Sequence, residues 1–237
     1  MERFARVRVF TAPLVVGLSL AAWPASAHAQ TPADPAATQL VFTQTGRVLP
    51  VGDIYAGGYG PLVPFIQAGV APGVQLGVGV PLFVLALGGQ SLPIIVAPKV
   101  QLFAKGSVSI AAGTLHVFSR DRTPFCDGCV ESFGLAYVSG TYGSAKNSVT
   151  IGLQRAYAIA PGRHASGASM INVSVEHSLS RTRAFITENN FGAGGGMNSA
   201  ALRFRRGRLR FDLGGMLLWI HGAGAVAAPT INVAWRF

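Results

Sequence analysis

The last seven residues of the chain constrain its fold more than any other stretch. Four apolar residues alternate there with three small or polar ones, in the order Ile231, Asn232, Val233, Ala234, Trp235, Arg236 and Phe237. Because successive side chains of a strand point to opposite faces, every apolar residue falls on one face of an extended strand. An apolar face that ends in aromatic residues, backed by a polar face, suits a strand with lipid on one side and a lumen on the other.

Residues 1–29 have the three parts of a secretory signal peptide. Arginines at positions 3, 6 and 8 precede an apolar run over 9–23, and Ala27-His28-Ala29 matches the A-x-A cleavage pattern. The alternative is an uncleaved membrane anchor, but the run is shorter than the ~20 residues that a spanning helix needs. We therefore predict an exported protein whose signal peptide is cleaved near Ala29.

The composition is unusual for a soluble protein. Half of the residues are apolar and only 12% are charged, whereas soluble domains carry about 25% charged residues. No stretch after the leader is apolar enough for a second spanning helix. A β-barrel explains the combination, since its apolar residues are spread in alternation and face lipid while small and polar residues face inward.

Short apolar alternations separated by turn residues fill the chain after about residue 52, and they predict an all-β, transmembrane, antiparallel up-and-down barrel of about twelve strands. An irregular start leaves a ten-stranded barrel as the alternative. Residues 30–51, rich in Pro, Ala, Thr and Gln, are predicted to form a periplasmic N-terminal linker, and residues 52–237 the barrel. The strands are predicted at 54–60, 63–70, 75–82, 93–103, 107–117, 131–142, 148–158, 169–178, 183–190, 199–206, 209–219 and 229–237.

These features together resemble bacterial outer-membrane β-barrel proteins, a class that includes porin-like channels and exported barrels of unknown activity. The resemblance covers nearly all of the mature chain and is carried by the leader, the alternation, the turn pattern and the terminal Phe237. It implies a location in the outer membrane, surrounded by lipid. It also implies that the barrel assembly machinery reads the last strand through Ile231, Val233, Trp235 and Phe237.

Polar residues on the strands are predicted to line the lumen. On the hairpin around Gly207-Arg208, a two-residue loop pairs Arg203 with Asp212 and Arg205 with Arg210. The functional interpretation is a polar conduit whose basic wall favours anions, because arginines on the last three strands exceed their local acidic partners. The alternative is an interior closed by its own salt bridges. The predicted lumen-lining residues are Lys99, Gln101, Gln154, Asn172, Glu176, Glu188, Arg203, Arg205, Arg210, Asp212 and Arg236.

Two further motifs invite chemical interpretations. Cys126 and Cys129 form a C-x-x-C pair in a predicted loop, and in an exported protein we expect them to be joined as a disulfide. Thiol–disulfide exchange and half of a metal site are the alternatives. His164 and Ser166 have the i, i+2 spacing of outer-membrane lipid hydrolases, with Asn172 as a candidate to orient the histidine, but the segment is predicted to be a loop.

The sequence thus predicts a narrow passive channel for small, possibly anionic solutes. A closed barrel that serves structure or surface interaction is the alternative, and a lipid hydrolase is the third hypothesis. We expect no enzymatic activity, no cofactor and no metal site. The net charge of +10 follows strands and turns rather than a nucleic-acid-binding motif, so no nucleic-acid partner is expected.

Overall fold

The described part of the chain forms twelve antiparallel strands. The computed structural model describes residues 37–59, 63–82, 92–118, 132–160 and 163–237. The predicted signal peptide and the pair Cys126 and Cys129 lie outside these residues. In chain order the strands are β1 (Ile54–Tyr59), β2 (Pro64–Ala71), β3 (Val74–Gly79), β4 (Ile94–Lys105), β5 (Val108–Phe118), β6 (Ser132–Gly143), β7 (Asn147–Ala160), β8 (Arg163–Ser178), β9 (Arg183–Gly192), β10 (Gly195–Arg206), β11 (Leu209–Ile220) and β12 (Gly224–Arg236).

The strands close into a barrel. Each strand pairs with the next along the chain, and β1 pairs with β12 from Tyr55↔Arg236 to Tyr59↔Asn232. The backbone amide of Phe237 then donates to the carbonyl of Ile54 at 3.0 Å. The start of β1 and the end of β12 therefore lie at the same end of the barrel, which we call the terminal end. The prediction of twelve strands is confirmed, and the ten-stranded alternative is wrong.

Three strands are longer than the sequence indicates. β8 begins at Arg163, β10 at Gly195 and β12 at Gly224, so most of the predicted loops 159–168, 191–198 and 220–228 is strand. These stretches are rich in Gly, Ala and Ser, which have little β-propensity of their own. Cross-strand pairing with a neighbour that is already extended decides their conformation. The connections at 193–194 and 221–223 are therefore shorter than the predicted strand ranges imply.

The register of the β10–β11 hairpin follows the predicted pairing. Arg206 opposes Leu209, Arg205 opposes Arg210 and Arg203 opposes Asp212. Arg203 and Asp212 are buried inside the barrel, whereas Leu202 and Leu213, one residue away on the same strands, are exposed on the outer wall. A slip of one residue would reverse both faces and place arginine in lipid, which costs about 2–4 kcal/mol at the midplane.

The outer wall of the barrel is apolar. Exposed leucine, isoleucine and valine side chains cover the middle of the strands. Outward aromatic residues lie towards both ends, with Tyr142 and Trp235 near the terminal end and Phe118 and Trp219 near the far end. An apolar band between two aromatic girdles matches the hydrocarbon core and interfaces of a bilayer. No helix among the described residues is long and apolar enough to cross a membrane.

A short hairpin fills the lumen at the terminal end. In residues 38–45, here called the inner hairpin, the amide of Thr45 donates to the carbonyl of Thr38 at 3.0 Å and that of Leu40 to Thr43 at 2.9 Å. Most of residues 37–49 are buried within the barrel. The periplasmic linker predicted over residues 30–51 is therefore corrected for this part. Its Thr and Gln residues, which contributed to the linker prediction, complement the polar inner wall instead.

Candidate functional site

The first arm of the inner hairpin is held through its backbone carbonyls. Lys99 Nζ on β4 donates to the carbonyl of Thr38 at 2.8 Å. On the opposite wall, Arg210 of β11 donates to the carbonyls of Gln39 and Leu40 at 3.4 and 3.3 Å, and Asn232 of β12 to the carbonyl of Val41 at 3.0 Å. Cationic and amide groups of the wall thus satisfy buried carbonyls that would otherwise lack partners.

The tip of the inner hairpin is held through its backbone amides. Glu188 of β9 is fully buried, and its carboxylate accepts from the amides of Phe42 and Thr43 at 3.0 Å each. Ser199 Oγ on β10 also donates to this carboxylate at 3.2 Å, and Asn172 Nδ2 on β8 donates to Thr43 Oγ1 at 3.0 Å. Hydrogen bonds to a charged group contribute about 1.5–3 kcal/mol each, so Glu188 is the strongest described anchor of the tip.

The chain leaves the inner hairpin along β6 and β4. The amide of Gly46 donates to Thr141 Oγ1 at 2.8 Å, while Gln101 Nε2 donates to the carbonyl of Gly46 at 2.6 Å. A Cβ at Gly46 would overlap the carbonyl of Ser109, so only glycine fits where the chain passes this close to the wall. Arg47 then donates to the carbonyls of Gly143 and Ser144 at 3.0 and 2.9 Å, next to the β6–β7 turn.

Beneath the inner hairpin, charges of the wall form a closed network. Arg203 contacts Asp212 at 2.9 Å and Glu176 at 3.1 Å, and Arg210 contacts Asp212 at 2.9 Å. Arg205 pairs with the other oxygen of Glu176. Three arginines thus share two carboxylates, with most of these side chains shielded from water.

The arginines that were predicted to exceed their local acidic partners have acidic partners in the structure. Arg205 and Arg210 both have acidic partners, and Arg236 pairs with Asp53 at 2.9 Å. The error arose because the prediction considered one hairpin at a time. Glu176 comes from β8, two strands away, and Asp53 precedes β1, so only closure of the barrel brings them to these arginines.

The predicted lumen-lining residues all lie on the inner wall. Lys99, Gln154, Asn172, Glu176, Glu188, Arg203, Arg210 and Asp212 are buried, and Gln101, Arg205 and Arg236 are half-buried. Sequence reasoning missed a second polar set on the same inward rows, although extending each strand's period of two would have identified it. That set comprises Gln67, Gln75, Ser139, Thr141, Ser148, Thr150, Asn190 and Thr230.

The hydrolase hypothesis loses its proposed orienting residue. Residues 163–167 are part of β8 rather than the predicted loop. Asn172 is fully buried in the lumen, where it donates to Thr43 and to Asn190 at 3.1 Å. It lies eight residues beyond His164 on the same strand, or about 26 Å at the rise of an extended chain. Asn172 therefore cannot orient His164.

Comparison with known proteins gives a likeness to solved structures. No protein-family model matches the chain, and no curated protein matches its sequence. A solved structure, the NanC porin in a rhombohedral crystal form, aligns with a TM-score of 0.48 and 10% identity, over 78% of this chain and 98% of that one. The class rests on this protein's own features: a closed barrel of twelve strands with an apolar, aromatic-girdled exterior and a polar interior defines an outer-membrane β-barrel.

Proposed function

We propose that the protein is an outer-membrane channel, rather than an enzyme, and that the inner hairpin closes it in the conformation described here. The observation that carries the proposal is the nature of the contact between the inner hairpin and the wall. Hydrogen bonds that Lys99, Arg210 and Asn232 donate to the inner hairpin, and those that Glu188 accepts from it, dominate this contact. Water can replace such bonds when the segment leaves, so each contributes only about 0.5–3 kcal/mol net.

The wall does not need the inner hairpin in order to close. Every strand pairs with two neighbouring strands, and none of these pairings involves residues 38–45. The apolar part of the contact is small: Leu40 and Val41 pack against Ile186 and Ala201, with Phe42 beside them. Departure of the inner hairpin would therefore expose a limited apolar surface and leave the hydrogen bonds between neighbouring strands intact. This separation between a continuous wall and a polar occluding segment supports a gate rather than a permanent core.

We further propose that the open channel prefers anions only weakly. The described inner wall carries Lys99, Arg203, Arg205, Arg210 and Arg236 against Asp53, Glu176, Glu188 and Asp212. These charges nearly cancel, with one cation in excess. Lys99 donates to the carbonyl of Thr38 in the closed state, and it would face the pore once the inner hairpin leaves. A small excess of positive charge in a narrow path favours anions modestly.

Deletion of residues 38–45 tests the channel directly. In planar bilayers the intact protein should stay mostly closed, whereas the deletion variant should give stable conductance steps. Under a salt gradient, the reversal potential of the deletion variant should show a small preference for anions over cations. A second variant, in which Gly and Ser replace residues 38–45 at equal length, should also conduct, and it covers the case in which the deletion hinders folding. If both variants fold, as judged by heat-modifiable gel mobility, and neither conducts, the closed structural barrel replaces the channel.

A further inference from the structure

The inner wall changes character along the strands. On β10 and β11 the inward pairs run, without a register shift, from Arg203↔Asp212 through Ala201↔Gly214 and Ser199↔Met216 to Met197↔Leu218. The charged pairs lie near the terminal end, and the pairs that contain methionine and leucine lie near the far end. The same face that holds the salt-bridge network is therefore apolar two to three inward pairs further along the strands.

Other strands continue this apolar surface. Most of their inward-facing residues beyond the inner hairpin are aliphatic, aromatic or methionine, and Gln154, opposite Met170, is a polar exception. None of the described residues on the inner wall at this level is charged. We call this part of the lumen the apolar vestibule. Besides Met197, Met216 and Leu218, it is lined by Ile95, Leu115, Val117, Phe133, Leu135, Met170 and Val226.

The apolar vestibule is open to solvent rather than packed shut. Leu218 is 43% exposed and Val226 is 67% exposed. Both nevertheless face the inside of the barrel, because they lie on the same strand faces as Asp212 and Asn232. The tip of the inner hairpin, with Phe42 half-buried against Leu40 and Val41, lies beneath it. Exposed apolar side chains inside an open cavity form a surface on which an apolar molecule displaces water favourably.

One polar group at the base of the apolar vestibule lacks a partner. Asn190 is 5% exposed, and its Nδ2 has no hydrogen-bond partner among the described residues, while its Oδ1 accepts from Asn172. Its strand position places it opposite Met197. An unsatisfied buried donor is costly in the empty site, and a ligand oxygen that accepts from it removes that cost.

We infer that the apolar vestibule binds a small amphipathic molecule, with an apolar body and a single hydrogen-bond-accepting oxygen, as the substrate of the proposed channel. The body contacts Met197, Met216 and Leu218, whose flexible thioether and aliphatic chains adapt to different shapes. The oxygen accepts from Asn190 Nδ2. Strongly polar solutes stay hydrated in the open vestibule and gain no comparable contact with these apolar side chains. This inference rests on the proposed function, because it assigns the substrate class to the outward half of the same pore.

A photoreactive alkyl alcohol tests the assignment. The full barrel in lipid nanodiscs is irradiated with a dodecanol analogue that carries a diazirine, and the labelled residues are mapped by mass spectrometry. We expect saturable labelling of Met197, Met216 and Leu218 that unlabelled dodecanol suppresses and glucose does not. Outward Leu213 and Leu217 should be labelled in proportion to probe concentration without such competition, because they contact bulk lipid.

Two sets of variants sharpen this test. Replacement of Met197 and Met216 by Gln should reduce competable labelling at least tenfold, whereas the matched double replacement by Leu should preserve it. Asn190→Leu should weaken alcohol binding about tenfold, since a donor built to meet an oxygen discriminates strongly, and should leave labelling by a diazirine alkane unchanged.

The possible results separate this inference from the channel proposal. Absence of competable labelling in the apolar vestibule overturns the substrate assignment, and so does equal labelling of the Gln and Leu variants. Conductance after deletion of the inner hairpin without such labelling leaves the channel standing and rejects only the substrate class. Saturable labelling without any conductance supports the binding site and rejects its place in a transport path.

Discussion

Replacement of Asp212 by Asn should lower the free energy of unfolding of the barrel by about 3–5 kcal/mol, the usual range for breaking a buried ion pair from one side. Asp212 contacts both Arg203 and Arg210. Without its charge, this network of three arginines would keep only the carboxylate of Glu176, which contacts Arg203 and Arg205. Urea unfolding in lipid vesicles, followed by tryptophan fluorescence and by heat-modifiable gel mobility, measures the loss.

The matched control is Arg203→Met, which removes the opposite charge from the same network. In that variant Asp212 keeps Arg210 and Glu176 keeps Arg205, so each remaining charge has a partner, and the methionine retains much of the buried apolar volume. We expect this variant to lose less than half as much stability as Asp212→Asn. Equal losses, or a larger loss for Arg203→Met, would show that the network is not held by charge balance.

Replacement of Glu188 by Ala should raise the open probability of the channel at least tenfold. The carboxylate accepts from the amides of Phe42 and Thr43, and hydrogen bonds to a charged group contribute about 1.5–3 kcal/mol each. A difference of about 1.4 kcal/mol between two states changes their ratio tenfold. Single-channel recording at fixed voltage gives the open probability directly.

Ser199→Ala is the control for this effect. Ser199 donates to the same carboxylate at 3.2 Å, but it has no described hydrogen bond to the inner hairpin. Its removal should change the open probability much less than the loss of Glu188. If Glu188→Ala leaves gating unchanged while the barrel stays folded, Glu188 is not the anchor of the tip.

Much of the fold could be predicted because strand alternation is strongly constrained in lipid. Outward residues such as Leu202 and Leu213 must be apolar, which sets the period and fixes the register of neighbouring strands. Alternation is weaker in the stretches of β8 and β10 that are rich in Ser, Ala and Gly, because small residues tolerate both faces. The predicted strand ends were therefore wrong there.

The site was harder to predict because its partners are distant in the chain. Glu188 lies 146 residues beyond Phe42, and a polar segment such as 38–45 has the same composition whether it is solvated or enclosed. The apolar vestibule was missed for a different reason. Met216 and Leu218 follow Arg210 and Asp212 at a period of two, but apolar residues at inward positions do not stand out in a chain that is already half apolar.

The central claim is that movement of the inner hairpin opens the lumen, and a reversible cross-link tests it most directly. Thr43 Oγ1 and Asn172 Nδ2 lie 3.0 Å apart. Cysteines at these two positions, with Cys126 and Cys129 changed to Ser, can be joined by a short bifunctional methanethiosulfonate, and the conductance of one bilayer is recorded before and after reduction. We predict that the cross-linked protein stays closed, and that a reductant restores openings to the level of the uncross-linked variant. Equal conductance in the cross-linked and reduced states would contradict the account.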